Sequence, residues 1–186
     1  MQIEKARSDD ISALQGIARW VIQHNYTPFL GHDNVTGFIE SGQSDKEIEN
    51  GIEHCHVMWQ SETIIGYTVF TEELLHIIMI DVPYQHKGYG AELLAYAERE
   101  MFKHNSLIKL QTFEKNTPTI CFYEKKGWAK KGMEYIPTPS AIILTIPINM
   151  MYIYIVVFCF IGIDSNIIFS NNLLKAGLIQ SNTISF

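Results

Sequence analysis

The sequence predicts an α+β fold: a mixed, mostly antiparallel central sheet of six to seven strands flanked by helices. Three observations lead there. The apolar period switches between two and about 3.6 along the chain, giving the order β-α-α-β-β-β-α-β-α-β-β. One strand, Leu74 to Val82, is apolar on both faces and therefore central. It runs into a glycine loop and then a helix, a passage that fits one parallel strand pair in an otherwise antiparallel sheet and not a doubly wound one. With 186 residues, 47% of them apolar, the chain can bury one sizeable core, with an appendage at its end.

The elements follow in order. Gln2 to Ala6 alternates like a short strand. Ser8 is a good N-cap, Asp9 and Asp10 suit a first helical turn, and Ile11, Leu14, Ile17, Ala18 and Val21 mark one helical face. Pro28, Gly31 and Asp33 make the stretch from Asn25 to Asn34 a loop. A second helical piece runs from about Val35 to Ile52, broken at Gly42, with Ser44 capping its second half. His56 to Trp59 and Thr63 to Thr71 are strands around a turn at Ser61-Glu62. After the central strand and the loop, Leu94, Ala97 and Met101 form the inner face of a helix from Ala91 to about His104, with Glu92, Arg99 and Lys103 outward. Ile108 to Phe113 is a strand. Asn116-Thr117-Pro118 starts a helix that ends at Gly127, a C′ glycine after Lys125 and Lys126. Trp128 to Glu134 and Ala141 to Ile146 are the closing strands.

Composition excludes several classes. The net charge of −6 argues against nucleic acid as a partner. Cys55, Cys121 and Cys159 are odd in number and widely spaced, so no disulfide framework or paired-cysteine metal site is expected. His54 and His56 flank Cys55 without a third ligand in view, a poor metal site; no metal is expected. The N-terminus is polar with early acidic residues and shows no signal peptide, which with reduced thiols predicts a cytoplasmic protein.

The chemistry gathers at Gln85-His86-Lys87-Gly88-Tyr89-Gly90. A glycine loop between a buried strand and a helix aims backbone N–H groups at one point, at the positive end of the helix dipole, and such a point holds a phosphate. It is not a Walker loop, because Ala91 and Glu92 follow Gly90 where Lys-Ser/Thr would stand. It is not a dinucleotide fingerprint either: Leu93 occupies the position of the third small residue.

A second segment, Asn116-Thr-Pro-Thr-Ile-Cys-Phe122-Tyr123-Glu124-Lys125-Lys-Gly127-Trp128, lies about 30 residues on. The two motifs together resemble the GCN5-related N-acetyltransferase (GNAT) superfamily, over about Gln2 to Ile148 and most strongly from Leu74 to Trp128. The resemblance implies the acyl-CoA N-acyltransferase fold and acetyl-CoA as donor. The backbone N–H groups of Gln85, Lys87, Gly88, Tyr89, Gly90 and Ala91 would hold its pyrophosphate; the end of the central strand, including Ile80 and Val82, would pair with the pantetheine arm. Pro83 stands one place later than the proline many members carry. Lys87 fits either a phosphate contact or a solvated loop lysine; Asn116 fits a cofactor contact, a helix cap or both. Tyr123 matches the tyrosine near the thioester sulfur that can protonate the departing thiolate.

Direct transfer to an amine follows, since no nucleophile suits a two-step route; Cys121 fits a structural thiol. An amine must be neutral to attack, and with a pKa of about 10.4 roughly one in two thousand is neutral near pH 7. A general base therefore helps. Histone-type relatives carry a glutamate where Leu74 stands; His76, two residues on and on the same face, could serve instead, or could be a structural histidine. Glu72 and Glu73 are further candidates, and the N–H of Ile80 is the candidate oxyanion donor. The acceptor, a small-molecule or peptide amine, would meet the Asn25 to Ile52 segment and the last loop, with Tyr26, Phe29 and His32 as candidate liners. A non-catalytic acyl-CoA-binding module is the rival reading, and Leu74 is its support.

Residues 1–148 are expected to form the catalytic domain and residues 149–186 a hydrophobic tail. No charge occurs between Glu134 and Asp164. Ala141 to Ile163 could span a bilayer by length, but Ala141 to Ile146 is needed as a strand, which leaves too little. The open alternatives are packing on the domain or on the partner of a homodimer, a membrane anchor, which is not favoured, and an extension without a role.

Overall fold

The computed structural model describes residues 1–134 and 141–147. Seven strands form one sheet in the order β1-β2-β3-β4-β5-β7-β6. They are β1 (Gln2–Lys5), β2 (Cys55–Gln60), β3 (Thr63–Phe70), β4 (Leu74–Ile80), β5 (Leu107–Phe113), β6 (Ala129–Glu134) and β7 (Ala141–Pro147). Every neighbouring pair is antiparallel except β4 with β5. The five α-helices of the described residues are α1 (Ile11–Leu30), α2 (His32–Glu40), α3 (Gln43–Gly51), α4 (Tyr89–Met101) and α5 (Thr117–Lys125). This is the expected mixed, mostly antiparallel α+β sheet. The segment 149–186 and its proposed roles lie outside the described residues, and among those described no helix is long and apolar enough to cross a membrane.

The sheet buries both faces because its central strands are apolar on both. On one side Tyr67, Val69 and Met79 pack with Leu14, Ile17, Val21, Val35 and Ile48, so α1, α2 and α3 cover that face. On the other, Met58, Ile65 and Ile80 pack with Leu93 of α4. Leu94, Ala97 and Met101 are buried as their spacing predicts.

Beside Ser8, which lies inside a 3-10 turn capped by Arg7 while Asp10 stands at the N-cap of α1, two local expectations fail. The loop expected from Asn25 to Asn34 is helix to Leu30, with Pro28 inside α1. An internal proline costs about 3 kcal/mol. Against it, Tyr26 and Phe29 pack their rings on Phe113, at centroid distances of 5.6 and 5.9 Å. Burying such side chains contributes about 1.5–3 kcal/mol each, so tertiary packing outweighs the local signal. Gly31, at φ 86°, ends the helix, and its N–H bonds the carbonyl of Thr27 at 3.0 Å. The second miss is Ser44. The N-cap of α3 is Gly42, at φ 71°, and Ser44 is buried within the helix with its hydroxyl unpaired.

Candidate active site

The parallel pair β4–β5 lasts for two residue pairs, Leu74 with Lys109 and Leu75 with Leu110. Beyond them β4 stays paired with β3 as far as Ile80, and β5 with β7 as far as Phe113, but β4 and β5 are no longer paired with each other. A gap therefore opens inside the sheet. Its β4 edge is set by a bulge at His76, where Phe70 faces Leu75 and the next β3 residue, Val69, faces Ile77. Past the bulge, the N–H of Asp81 bonds the carbonyl of Ile65 on β3, and the carbonyl of Ile77 takes the hydroxyl of Thr68. Backbone groups alternate between the two edges of a strand, so Ile78 and Ile80 turn theirs toward the gap.

The glycine loop begins where β4 ends. Val82 to Tyr84 form a 3-10 turn, so Val82 lies beyond the strand, and its carbonyl accepts the N–H of Gln85 at 3.2 Å. The side chain of Gln85 reaches back to the carbonyl of Ile80 at 2.8 Å and accepts from Asn25 of α1 at 3.4 Å. Gly88 is the N-cap of α4 at φ 91°, a conformation that L side chains adopt rarely. The N–H of Ala91 bonds the carbonyl of Gly88, whereas those of Lys87, Gly88, Tyr89 and Gly90 meet no backbone acceptor among the described residues. Of the six residues expected to donate, Gln85 and Ala91 have their N–H groups turned to backbone carbonyls, and Lys87, Gly88, Tyr89 and Gly90 do not. Space above Gly90 is open: an added Cβ would meet Ile80 at 3.8 Å and Phe122 at 4.0 Å. Lys87 is exposed; its ammonium bonds the carbonyl of Pro83 at 2.8 Å and lies 5.4 Å from the centre of the Tyr84 ring.

α5 stands across the gap. Asn116 is its N-cap by position and is buried, but its side chain makes no capping bond. Tyr123 is buried between Phe122 and Trp128. Its phenol is pushed well above the usual range by burial first, then by Tyr26 and Glu98, so it is protonated throughout the physiological range. The helix ends in a Schellman motif: Gly127, at φ 88°, bonds the carbonyl of Glu124 at 3.0 Å, and Trp128 bonds that of Tyr123 at 3.1 Å. The indole of Trp128 donates to Glu98 of α4 at 2.7 Å, and the Tyr123 and Trp128 rings lie 5.8 Å apart.

The helical extension of α1 supplies the opposite wall. Tyr26 and Phe29 pack on Phe113, the last residue of β5, and burial and Glu47 raise the Tyr26 phenol. His32 is not brought in: it is exposed and faces Asp33 at 3.6 Å. His76 is exposed at the bulge, with Nε2 3.1 Å from the Thr71 hydroxyl, and burial together with His54 lowers its pKa. It precedes Ile80 by four residues, about 13 Å along the strand. Glu73 binds Lys109 at 2.6 Å. Among the described residues, no group of three His, Cys, Asp or Glu side chains could hold a metal ion. Two residues escaped the sequence reading. Gly66 lets β3 and β4 approach: a Cβ there would lie 2.6 Å from the Met79 carbonyl, and a glycine inside a strand pattern is the signal for it. Glu98 sits one turn from Leu94 on the apolar face of α4, and an acid in that stripe is the other missed signal.

A family model, the Acetyltransferase (GNAT) family, matches residues 15–128. The chain belongs to this family. The likeness to solved GNAT structures extends over most of the fold. The PaiA N-acetyltransferase from Thermoplasma acidophilum, solved in complex with coenzyme A, is 21% identical with a TM-score of 0.68, over 78% of this chain and 98% of that one. The ribosomal-protein-S18-alanine N-acetyltransferase from Escherichia coli is 22% identical with a TM-score of 0.60, over 79% of this chain and 93% of that one. At these identities the likeness concerns the fold. An uncharacterized Bacillus subtilis protein, YxbD, is 30% identical over 107 residues, 52% of this chain and 67% of the relative.

Proposed function

We propose that this GNAT chain transfers an acetyl group from acetyl-CoA to the primary amine of a small molecule or peptide, directly within a ternary complex. One observation carries the reading: the sheet parts between β4 and β5, with the Ile78 and Ile80 backbone groups turned into the gap, and β4 ends on the N–H cluster of Lys87, Gly88, Tyr89 and Gly90. An extended pantetheine arm can add to that edge as a strand would, with its pyrophosphate on the amides of the loop.

The rest of the step needs a donor to the oxyanion, an acid for the thiolate and a base for the amine. The amine nitrogen forms a bond to the thioester carbon and loses a proton, while the carbon–sulfur bond breaks. The N–H of Ile80 faces the gap and donates to the developing oxyanion. Tyr123, kept protonated, gives its proton to the departing thiolate. His76, whose lowered pKa leaves it neutral near pH 7, accepts the amine proton through ordered water, given its distance along β4. Tyr26, Phe29 and Phe113 form the aromatic wall on the acceptor side.

The test joins a thermal-shift titration with acetyl-CoA to an assay of thiol release across a panel of amines. Stabilisation with turnover supports the transferase. Stabilisation without turnover on any amine selects the binding-module reading, which rests on Leu74 occupying the position of the usual glutamate. No stabilisation would sink both.

A further inference from the structure

We propose that Glu98 and Trp128 are positioning residues for Tyr123, fixing its ring and setting the charge beside it during acetyl transfer; the role in transfer rests on the function proposed above. Three contacts converge. The Schellman end of α5 places Trp128 directly after the αL residue Gly127 and folds it back onto Tyr123, three positions before the helix cap Lys126. The indole N–H then bonds Glu98 at 2.7 Å, which anchors that hydrophobic contact to α4. α4 is the helix whose first turn carries the loop amides, so the acid group and the phosphate cradle are referred to one rigid element. A half-buried carboxylate is an expensive way to hold an indole, because an apolar neighbour would fill the space without desolvating a charge. Its presence makes sense if its charge matters at Tyr123.

That charge is adjustable. Burial raises the Glu98 pKa to about 7, partly offset by the Trp128 hydrogen bond and by Lys126. The groups that face Glu98 are Trp128 just before β6, Lys126 at the C-cap of α5 and Tyr123 within α5. When Glu98 is ionised it makes Tyr123 a weaker acid; when protonated, it relieves that effect.

Two readouts test the proposal. The first needs no turnover. In a nitrogen–proton correlation spectrum the Trp128 indole resonance, assigned with Trp128→Phe, should titrate with a midpoint near 7 in the wild type and stay flat in Glu98→Gln. Ring-to-ring Overhauser contacts between Tyr123 and Trp128 should weaken in Glu98→Leu and persist in Glu98→Gln. The second is the kcat of acetyl transfer. Glu98→Leu should lower it about tenfold with little change in the KM for acetyl-CoA, the scale expected for a slightly misplaced reacting group. Glu98→Gln, which keeps an acceptor for the indole, should recover most of the rate and lose the pH inflection. A flat indole titration in the wild type overturns the proposal, as does Glu98→Leu matching the wild type in both ring contacts and rate. Should the wild type transfer to no amine, the transferase reading falls, while the indole titration and ring contacts still decide the positioning of Tyr123.

Discussion

The amide of Gln85 reaches back 2.8 Å to the carbonyl of Ile80, tying the glycine loop to the open end of β4. That carbonyl belongs to a residue whose backbone faces the gap, and the glutamine side chain satisfies it. Gln85 thus works through its side chain, since its own N–H is engaged in the preceding turn. Gln85→Leu leaves a carbonyl unpaired and frees the loop. A lost hydrogen bond of this kind is worth about 0.5–1.5 kcal/mol, so acetyl-CoA affinity should fall roughly 2- to 13-fold by calorimetry.

Gly88→Val should separate binding from folding. A Cβ at Gly88 meets nothing within 4 Å, so the fold has room for it. The φ of 91° is the difficulty, and strain of that type costs on the order of 1–3 kcal/mol. The branched side chain also stands where the loop amides would meet a phosphate. Thermal denaturation should show a folded, moderately destabilised protein that acetyl-CoA no longer stabilises. Retained affinity would contradict the assignment of the loop.

Gly66→Ala should do the reverse and damage the fold first. Its Cβ would lie 2.6 Å from the carbonyl oxygen of Met79 and 2.6 Å from Cδ1 of Ile80. The backbone oxygen cannot move without parting β3 from β4, so a loss of about 1–3 kcal/mol in chemical denaturation is expected, as for overpacking. The end of β4 moves with it, so acetyl-CoA binding should weaken too.

If Tyr123 is the proposed proton donor, Tyr123→Phe should lower kcat about 10- to 100-fold and leave the KM for acetyl-CoA nearly unchanged, because the ring and its packing persist while the hydroxyl is lost. Activity should not vanish: a thiol with a pKa of about 8.5 is already a fair leaving group.

Glu98 predicts a stability change with a definite sign. Its folded pKa, about 7, lies above the ordinary 4.5. The folded state therefore holds this proton more tightly than the unfolded state does. The associated stability is fully present below about pH 4.5 and is lost as pH rises through 7, with an upper bound of about 3 kcal/mol. His56 and His76, both lowered, act in the opposite sense as pH falls through the ordinary histidine range. The comparison that isolates Glu98 is wild type against Glu98→Gln: the variant's relative stability should grow from pH 5 to pH 8 in denaturant titrations. A constant difference would refute the assignment.

Much of this site is visible in the sequence because it depends on local chemistry. The glycine loop, the proline near the start of α5 and the αL glycine at its end are each fixed by residues within a few positions, and each expectation matches the observed element. What escaped depends on distant partners. Helix at Tyr26 and Phe29 requires Phe113, which is more than eighty residues away in the chain. The need for Gly66 appears only once Met79 lies opposite. The bulge at His76 decides which residues of β4 face the gap, and alternation within an apolar run cannot reveal an inserted residue when both strand faces are apolar.

The parted sheet has a thermodynamic consequence of its own. An interior strand edge left without a neighbour is a missing rung, and a donor that fills it binds the folded chain and not the unfolded one. Its contribution to folding rises with the logarithm of its concentration, about 2.7 kcal/mol at a hundred times the dissociation constant. A chain built in this way would last longest where its donor is plentiful, so its abundance would follow the supply of activated acetyl groups before a single one is transferred.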